Sequence, residues 1–502
     1  MLINEKDVYV LNPDYVMKND LHRIILFSGS RSNFLSVKNW ESFLLPLHAK
    51  IFSFFTFNRT LSTTISLLSD FLKKDERTVK RIVFPFIENP VSVFTVFKDE
   101  KIKFPKNLII NCSRFNNKIN FLNLSPDIFD CKSIDILTKR FFSGPQLITF
   151  MLNNTCFTKC VYCYADINTK VKKPLSTNRI LELIEETEKF PLRQINLMGG
   201  EVFLHPDWHV ILKKIVDFNL SPEYISTKIP LSSKIIRSII KSGFSNPIQI
   251  SLDACFSEIM QKTLSVKSNY LPKVLQGIKA LDKSGLCYRI NTVLTTSNLK
   301  KDVIKDIFLF LSSLQNVSDW RITPAVNSNW IEFEKIKIIK PLKNELKFLF
   351  DFIEREIIPN SKIPILINRQ AINREFHYCS TGSKYFDGVE CSALKKQLFI
   401  LPDGKATICE QLYWLPQFIV GDVSIDNIAE VWNSHHAKKL LHIQRNDIQY
   451  KSRCKECAFF EKCFEAGNRC WVDIVKTYGK ENWDFPDPRC AFAPEMTFDL
   501  RF

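Results

Sequence analysis

Three cysteines stand close together in the chain and could hold one metal cluster. Cys156, Cys160 and Cys163 follow a C-x3-C-x2-C spacing, which gathers three thiolates around a single cubane of iron and sulfur. Because an electron-transfer cluster takes four cysteines, a three-cysteine cluster leaves one iron free to bind a substrate or cofactor. Structural zinc sites usually combine two separated ligand pairs. The triplet therefore indicates catalysis at an open iron.

A second motif follows the triplet after one predicted helix. Residues 194–198 read as a short apolar strand that ends in Gly199, Gly200 and Glu201. Glycines permit a close approach of another backbone segment or a ligand. Apolar residues at helical spacing over 177–189 predict the intervening helix. The order of triplet, helix, strand and Gly-Gly-Glu is more specific than either motif alone.

Together these motifs resemble the signature of radical S-adenosylmethionine (radical SAM) enzymes. The resemblance implies a 4Fe-4S cluster on the triplet, whose free iron binds the methionine end of SAM, with the amino group received by Gly199, Gly200 and Glu201. It also implies reductive cleavage of SAM to a 5'-deoxyadenosyl radical that abstracts hydrogen from the substrate.

The same resemblance assigns further contacts with SAM. Tyr162 would lie near the adenine, and the carboxylate or ribose would meet Ser226, Ser251 and Asp253. Each of these last three side chains could instead cap the helix that follows its strand, which is a common role for Ser and Asp. We therefore expect the set to be more informative than any one member.

Short apolar strands alternate with amphipathic helices over residues 146–335. This pattern favours a parallel sheet wrapped by helices, an α/β fold. Six strands fit the partial (β/α)6 barrel of the radical SAM core. Reactive groups in such barrels lie at the carboxyl ends of strands, where the triplet and Gly-Gly-Glu are both predicted.

A second group of cysteines lies in residues 379–502 and resembles the SPASM extension of radical SAM enzymes, which holds two auxiliary 4Fe-4S clusters. The resemblance assigns one cluster to Cys391, Cys409, Cys470 and possibly Cys379. It assigns the other cluster to Cys454, Cys457, Cys463 and Cys490. The usual spacing places the fourth central cysteine where Gly467 stands here, so Cys470 is displaced by three residues. SAM and three 4Fe-4S clusters are thus the expected cofactors.

Other interpretations of this region stay open. Cys454, Cys457, Cys463 and Cys470 would also pass as zinc ligands. If Cys379 is a buried thiol, the first auxiliary cluster has an open iron that could meet the substrate. Glu410, next to Cys409, is a candidate proton acceptor after hydrogen removal, or an ordinary exposed carboxylate.

Residues 1–98 predict two strands, three helices and a further strand, the pattern of a winged helix-turn-helix domain. Thr60 and Asp75 are expected to cap the second and third helices. The segment resembles the leader-binding element of enzymes that modify ribosomally made peptides (RiPPs), which implies that a leader peptide adds a strand to the sheet edge. An apolar stripe that includes Phe71 favours a peptide over nucleic acid, since few groups there could contact base edges.

The remaining expectations concern segments and location. Residues 99–145 are expected to form a connector and residues 336–378 a helical linker. The chain of 502 residues has a net charge of +16 and fifteen cysteines. It opens with no signal-peptide pattern and has no run of 18 apolar residues. We expect a cytoplasmic protein without a membrane span, whose cysteines hold metal rather than form disulfides.

These observations predict a radical SAM peptide maturase. It would abstract hydrogen from a ribosomally made precursor peptide, install a cross-link, and take electrons from a low-potential donor. Two alternatives remain. One is a maturase of a folded protein, as sulfatase activators are, and the other is a non-catalytic, metal-stabilised binding protein.

Overall fold

The fold comes from a computed structural model that describes residues 3–29, 37, 39–114, 121–131, 133–329, 331–369, 386, 388 and 390–500. The chain divides into two compact units. The first unit contains residues 1–147 and 185–194. The second contains residues 148–184 and 195–502.

The first unit combines short antiparallel sheets with three helices. Its strands are β1 (Tyr9–Leu11), β2 (Tyr15–Asn19), β3 (Ile24–Ser28), β4 (Glu41–Leu44), β5 (Val93–Phe97), β6 (Glu100–Phe104) and β7 (Ile109–Asn111). Its helices are α1 (Pro46–Ser53), α2 (Leu61–Leu72) and α3 (Glu76–Val83). Strands pair in the orders β2-β3-β4, β5-β6 and β1-β7.

The helix starts follow the predicted caps. The Thr60 hydroxyl accepts a hydrogen bond from the Thr63 N–H at the start of α2, and the Asp75 carboxylate accepts one from Thr78 N–H at the start of α3. Both caps satisfy a backbone donor that the first helical turn leaves without an internal partner. The helices α2 and α3 therefore begin directly after the predicted cap residues.

The predicted domain boundary at residue 98 falls inside a β-hairpin. Strand β6 pairs with β5 in register from Val93 opposite Phe104 to Phe97 opposite Glu100. Strand β7 returns to pair with β1. Residues 99–114 thus belong to the first unit rather than to a separate connector, since their backbone hydrogen bonds are made with strands on either side of the helices.

A buried ion pair connects residues 140–143 with the turn between β2 and β3. Asp20 and Arg23 are both fully buried, with Arg23 Nε 3.1 Å from Asp20 Oδ2. Asp20 Oδ1 also accepts hydrogen bonds from the N–H groups of Phe142 and Ser143, at 2.9 and 2.8 Å. The Arg23 guanidinium donates to the Arg140 carbonyl and lies over the Phe43 ring.

The second unit begins with alternating strands and helices. Its strands in this part are β8 (Leu147–Met151), β9 (Gln194–Met198), β10 (Ile225–Thr227), β11 (Ile248–Ser251), β12 (Tyr288–Leu294) and β13 (Val317–Pro324). Its helices are α4 (Thr177–Glu186), α5 (Trp208–Asp217), α6 (Ser233–Ser242), α7 (Ser257–Leu264), α8 (Tyr270–Lys283), α9 (Lys301–Ser312), α10 (Phe333–Ile339) and α11 (Lys343–Phe352).

The strands of the second unit form two five-stranded sheets. One has the order β10-β11-β12-β13-β14, where β14 is Ile365–Ile367, and all of its pairings are parallel. Strand β14 lies in the predicted helical linker 336–378, which therefore also extends the sheet. The sequence did not indicate this, because three residues are too few for a strand pattern.

The other sheet joins β8 and β9 to the C-terminal region. Its order is β17-β16-β15-β8-β9. The C-terminal strands are β15 (Gln397–Ile400), β16 (Lys405–Thr407) and β17 (Ile419–Asp422). The C-terminal helices are α12 (Ile428–Trp432), α13 (His435–Leu441), α14 (Phe460–Ala466) and α15 (Trp471–Tyr478). None of the helices in the described ranges has the length and apolarity needed to cross a bilayer.

Replacing Asp20 by Asn should destabilise the first unit. The change leaves the Arg23 charge buried without its partner, which typically costs about 3–5 kcal/mol. Hydrogen exchange of residues 15–28 and 138–143 should accelerate accordingly. As a control, Asp130→Asn removes the exposed ion pair with Lys50 and should change stability by less than about 1 kcal/mol. Equal exchange rates in both variants would contradict a structural role for the buried pair.

Candidate active site

The carboxyl ends of β8 and β9 are joined by backbone hydrogen bonds. Gly200 N–H donates to the Asn153 carbonyl at 2.8 Å, and Glu201 N–H donates to the Thr155 carbonyl at 2.9 Å. The Asn153 side chain in turn donates to the Glu201 carbonyl at 3.0 Å. The loop that carries the cysteine triplet therefore runs directly beside the Gly-Gly-Glu segment.

This close backbone approach explains the two glycines. A Cβ at Gly199 would lie 2.7 Å from the Asn153 carbonyl oxygen, and a Cβ at Gly200 would lie 2.5 Å from the Thr155 carbonyl carbon. Real Cβ atoms do not approach backbone so closely. Neither glycine has a positive φ, so space rather than backbone conformation requires them.

The cysteine triplet lies on a loop that is anchored on both sides of Cys160. Lys159 and Val161 donate backbone hydrogen bonds, both of 2.9 Å, to carbonyls at the end of α7. The buried Thr158 hydroxyl lies 3.5 Å from Cys156 Sγ and 3.1 Å from Cys160 Sγ. Burial raises the pKa of Cys160 to about 11, so a bound cation would be needed to favour its thiolate.

A cavity of about 440 Å³ opens at these strand ends. Residues of several strands and loops face it, and the predicted site residues among them are Cys156, Cys160, Cys163, Tyr162, Gly199, Gly200, Glu201, Ser226, Ser251 and Glu410. Asp253 is the exception, since it is fully buried and does not line the cavity. The structure thus gathers residues that lie up to 254 positions apart in the sequence.

Glu201 is held in place by three donors from the chain. Its carboxylate accepts hydrogen bonds from the Thr227 hydroxyl at 3.0 Å, from Lys228 N–H at 2.9 Å and from Phe203 N–H at 3.3 Å. Burial raises its pKa, and these hydrogen bonds oppose the rise. Because a carboxylate has about four acceptor positions, one remains for a ligand.

Lys228 is a functional candidate that the sequence analysis did not assign. Its Nζ donates to the buried Ser251 hydroxyl at 2.7 Å and lies 5.6 Å from the centre of the Tyr162 ring. Burial lowers its pKa, but Cys160 and Asp253 outweigh that effect, so the pKa is higher than usual. The cavity therefore contains a fixed cation. A lysine directly after an apolar strand was the signal available in the sequence.

Tyr162 lines the cavity and forms a hydrogen-bonded pair with Asp253, which lies behind the cavity wall. The Tyr162 hydroxyl donates to Asp253 Oδ2, and Asp253 Oδ1 accepts from Val293 N–H at 2.9 Å. Both carboxylate oxygens are thus used within the protein. The geometry favours a positioning role for Asp253, whereas Ser226 is exposed to the cavity and accepts a hydrogen bond from Gln249.

Glu410 reaches the same cavity from the C-terminal region. It follows β16 by three residues and lines the cavity with Tyr164 and Tyr224. Its side chain is exposed, as the alternative interpretation expected, and partial desolvation still raises the pKa of its carboxyl group. Its negative charge also helps to raise the pKa of Tyr164, although burial is the larger cause. Glu410 is therefore placed where a proton acceptor would meet a bound substrate.

Four of the C-terminal cysteines line one further cavity. These are Cys454, Cys457, Cys463 and Cys490, the set that was predicted for the second auxiliary cluster. Within the described ranges, no three His, Cys, Asp or Glu side chains converge closely enough to ligate a single ion.

The structure gives fewer contacts for the cysteines that were predicted to hold the first auxiliary cluster. Burial raises the pKa of Cys409 to about 12, and nearby Cys391 adds to the effect. Cys470 is the N-cap residue immediately before α15, and its N–H donates to Asp487 Oδ2 at 2.9 Å. Gly467 ends α14 with a left-handed φ of 62°, which a glycine adopts readily. Cys379 lies outside the described residues.

Comparison with known proteins identifies two domains that contribute residues to this site. Residues 151–311 match the radical SAM superfamily, and residues 391–458 match the SPASM iron-sulfur cluster-binding domain. The chain therefore contains a radical SAM domain and a SPASM domain. The radical SAM match contains the cysteine triplet, Gly199, Gly200, Glu201 and Lys228, and the SPASM match contains Glu410.

Relatives of the enzyme are similar over different lengths. The mycofactocin maturase MftC of Mycobacterium tuberculosis is 22% identical over 361 residues, which cover 70% of this chain and 84% of the relative. A probable GTP 3',8-cyclase of Methanocaldococcus jannaschii is 23% identical over 222 residues, covering 41% and 74%. Proteins of unlike names are thus similar to this chain over different lengths.

The fold of the enzyme is similar to that of Streptococcus suis SuiB. The structure of SuiB bound to S-adenosylmethionine aligns with a TM-score of 0.61 and 13% identity, covering 96% of this chain and 99% of SuiB. The structure of SuiB bound to the precursor peptide SuiA aligns with a TM-score of 0.59. The similarity in fold extends over nearly the whole of both chains.

Replacing Gly200 by Ala should disrupt the site, because the added methyl group overlaps the Thr155 backbone. We expect loss of iron from the triplet and loss of SAM binding, measured by iron analysis and calorimetry. Gly285→Ala is the control: its Cβ would meet no atom within 4 Å, although its φ of 76° adds a modest strain. A G200A protein with normal iron content and SAM affinity would refute the packing argument.

Proposed function

We propose that this radical SAM enzyme is a peptide maturase that acts on a ribosomally made precursor peptide. The observation that carries the proposal is one cavity lined by the cysteine triplet, by Glu201 and by Lys228. The maturase name of MftC and the capture of a precursor peptide by SuiB support the choice of a peptide as substrate. A cytoplasmic location would suit the cysteines, because every described one is a free thiol.

The residues of the cavity fit the two cofactors. Cys156, Cys160 and Cys163 would hold a 4Fe-4S cluster with one open iron. The methionine end of SAM carries an ammonium and a carboxylate, and the cavity offers the Glu201 carboxylate and the Lys228 ammonium as complements. When bound, the cluster and SAM supply a 5'-deoxyadenosyl radical that abstracts hydrogen from the peptide.

The protein residues then position and shield this chemistry. The Tyr162–Asp253 pair fixes the wall of the cavity, and Ser251 holds the Lys228 ammonium. Ser226 and Gln249 offer further polar contacts at the exposed side. We further infer that the strands β8 to β13 form the partial barrel of this family, with the site at their carboxyl ends.

The SPASM domain would add two auxiliary clusters. Cys454, Cys457, Cys463 and Cys490 line one cavity and supply the four thiolates of an ordinary cluster. Cys391, Cys409 and Cys470 would serve the other. Three clusters and a low-potential electron donor complete the proposed set. An auxiliary cluster could accept the electron that remains after hydrogen removal, so that a cross-link forms in a net oxidation.

The first unit would bind the leader of the precursor peptide. We infer a winged helix-turn-helix domain in which α2 and α3 precede the β5-β6 hairpin. Among the described strands, β5 pairs only with β6, which leaves one backbone edge for an added strand. The hairpin exposes Phe94 and Val96 by 58% and 61% of their areas, and α2 exposes Leu67 and Phe71. These apolar faces suit a peptide rather than nucleic acid.

Two substitutions should separate radical formation from peptide capture. Cys160→Ala should abolish 5'-deoxyadenosine formation, because the triplet loses a cluster ligand, while peptide binding persists. Phe71→Ser should weaken peptide binding by about 10-fold or more and leave 5'-deoxyadenosine formation from SAM alone intact. The probe is a synthetic peptide encoded beside this gene, measured by fluorescence polarisation and liquid chromatography.

Leu122→Ser is the matched control for peptide capture. Leu122 is exposed by 57% in the same unit but lies outside α2 and β5, so peptide affinity should not change. If Cys160→Ala still produced 5'-deoxyadenosine, the proposed chemistry would fail. If Phe71→Ser bound the peptide normally while Cys160→Ala did not, the assigned roles of the two units would be wrong.

Glu410 should act as the proton acceptor. Glu410→Gln should reduce formation of the modified peptide by about 10²-fold or more, while SAM cleavage continues. In the wild-type protein, product formation should fall as the pH drops through the raised pKa of Glu410, since the acceptor must be ionised. Mass spectrometry of the peptide across pH measures both effects. If product formation by the E410Q variant still decreased at low pH in the same way, the decrease would be due to another group.

A further inference from the structure

A buried arginine shares the cavity of the second cysteine group. Arg469 is 5% exposed and lines that cavity together with Cys454, Cys457, Cys463 and Cys490. Its Nη2 donates to the Phe485 carbonyl at 2.7 Å. Its Nε and Nη1 are both buried, and no acceptor among the described residues lies within hydrogen-bond distance of either.

Two guanidinium nitrogens that are buried without an acceptor are costly. A donor on a charged group that loses water and gains no acceptor costs more than the 1–3 kcal/mol typical of neutral groups. Two aromatic rings hold the guanidinium in place, at 4.2 Å from the centre of Phe464 and 4.9 Å from that of Trp471. These contacts fix its position but accept no N–H. The acceptor must therefore come from whatever fills the cavity.

Arg469 also lacks a direct ion pair among the described residues, unlike its neighbour Arg489. Arg489 donates two hydrogen bonds to Asp487, at 2.7 and 2.6 Å, so that this pair is neutral. Asp484 and Asp487 act on the Arg469 charge from a greater distance and form no direct ion pair with it. Arg453 lines the same cavity but is exposed, so that solvent screens its charge. Arg469 is the buried cation that faces the four thiols.

We propose that Arg469 donates its free N–H groups to the sulfurs of an iron-sulfur cluster held by Cys454, Cys457, Cys463 and Cys490, and that it thereby raises the reduction potential of this cluster. The proposal rests on the cluster assignment of the proposed function. It makes Arg469 a positioning residue with a redox role, one that contacts neither SAM nor the peptide.

The direction of the effect follows from charge. Hydrogen bonds to the sulfurs, net charge and solvent exposure set the potential of such clusters. Reduction adds one negative charge, which a buried cation stabilises more strongly than an exposed one. Arg469 therefore favours the reduced form and makes this cluster a better electron acceptor than its four thiolates alone would.

The test is a potentiometric titration of the reconstituted full chain, followed by electron paramagnetic resonance. The background carries Cys156→Ala, Cys160→Ala and Cys163→Ala, which removes the first cluster and leaves the auxiliary signals. In this background, Arg469→Met should shift one auxiliary midpoint to more negative potential. Arg469→Lys should shift it less, since the charge remains. Arg453→Gln, the exposed control, should leave both midpoints close to their original values.

A second measurement does not depend on any substitution at Arg469. The protein is produced with ¹⁵N-labelled arginine, and electron–nuclear double resonance is recorded on the reduced auxiliary clusters. A guanidinium that donates to cluster sulfur should give a ¹⁵N coupling, and unlabelled protein gives the baseline. The redox role of Arg469 would be overturned if no ¹⁵N coupling were seen, or if an Arg469→Met protein with full iron content had unshifted midpoints. Neither result would affect the cluster assignment. If Cys454→Ala and Cys463→Ala lose no iron, the cluster assignment itself is wrong.

Discussion

The structure of the site depends on the backbone contact between the loop after β8 and the Gly-Gly-Glu segment after β9. Hydrogen bonds from Gly200 and Glu201 to carbonyls of residues 153 and 155 bring the two strand ends into contact. Only residues without a Cβ fit there. The contact places the cysteine triplet on one side and the Glu201 carboxylate on the other, so that a ligand bound between them meets both.

Buried charges give this site its chemical character. Glu201, Lys228 and Asp253 lie within a few residues of strand ends in the second unit, and each is bound by groups of the chain: Thr227, Ser251 and Tyr162. Groups held in this way need little reorganisation when a charged ligand arrives. The zwitterionic end of SAM would replace solvent in a cavity that already has charges of both signs.

Much of this arrangement could be predicted from local sequence. The triplet, Gly-Gly-Glu and the helix caps at Thr60 and Asp75 depend on spacing between near neighbours, and the four cysteines around one cavity follow a recognisable pattern. Long-range pairing could not be predicted. The pairing of β6 with β5 across the expected boundary at residue 98, the addition of β14 and the role of Lys228 all depend on tertiary contacts that a pattern of apolar residues does not specify.

The position of β15 beside β8 links the two iron-sulfur regions mechanically. Strands that share a ladder keep a spacing of about 4.7–4.9 Å, and β15, β16 and β8 belong to one sheet. The positions of the segments that lead to Cys409 and to Cys156 are thus fixed by one hydrogen-bonded sheet rather than by a flexible linker. Because tunnelling slows steeply with distance, such a frame would also fix the rate at which electrons could pass between groups bound at these two strand ends.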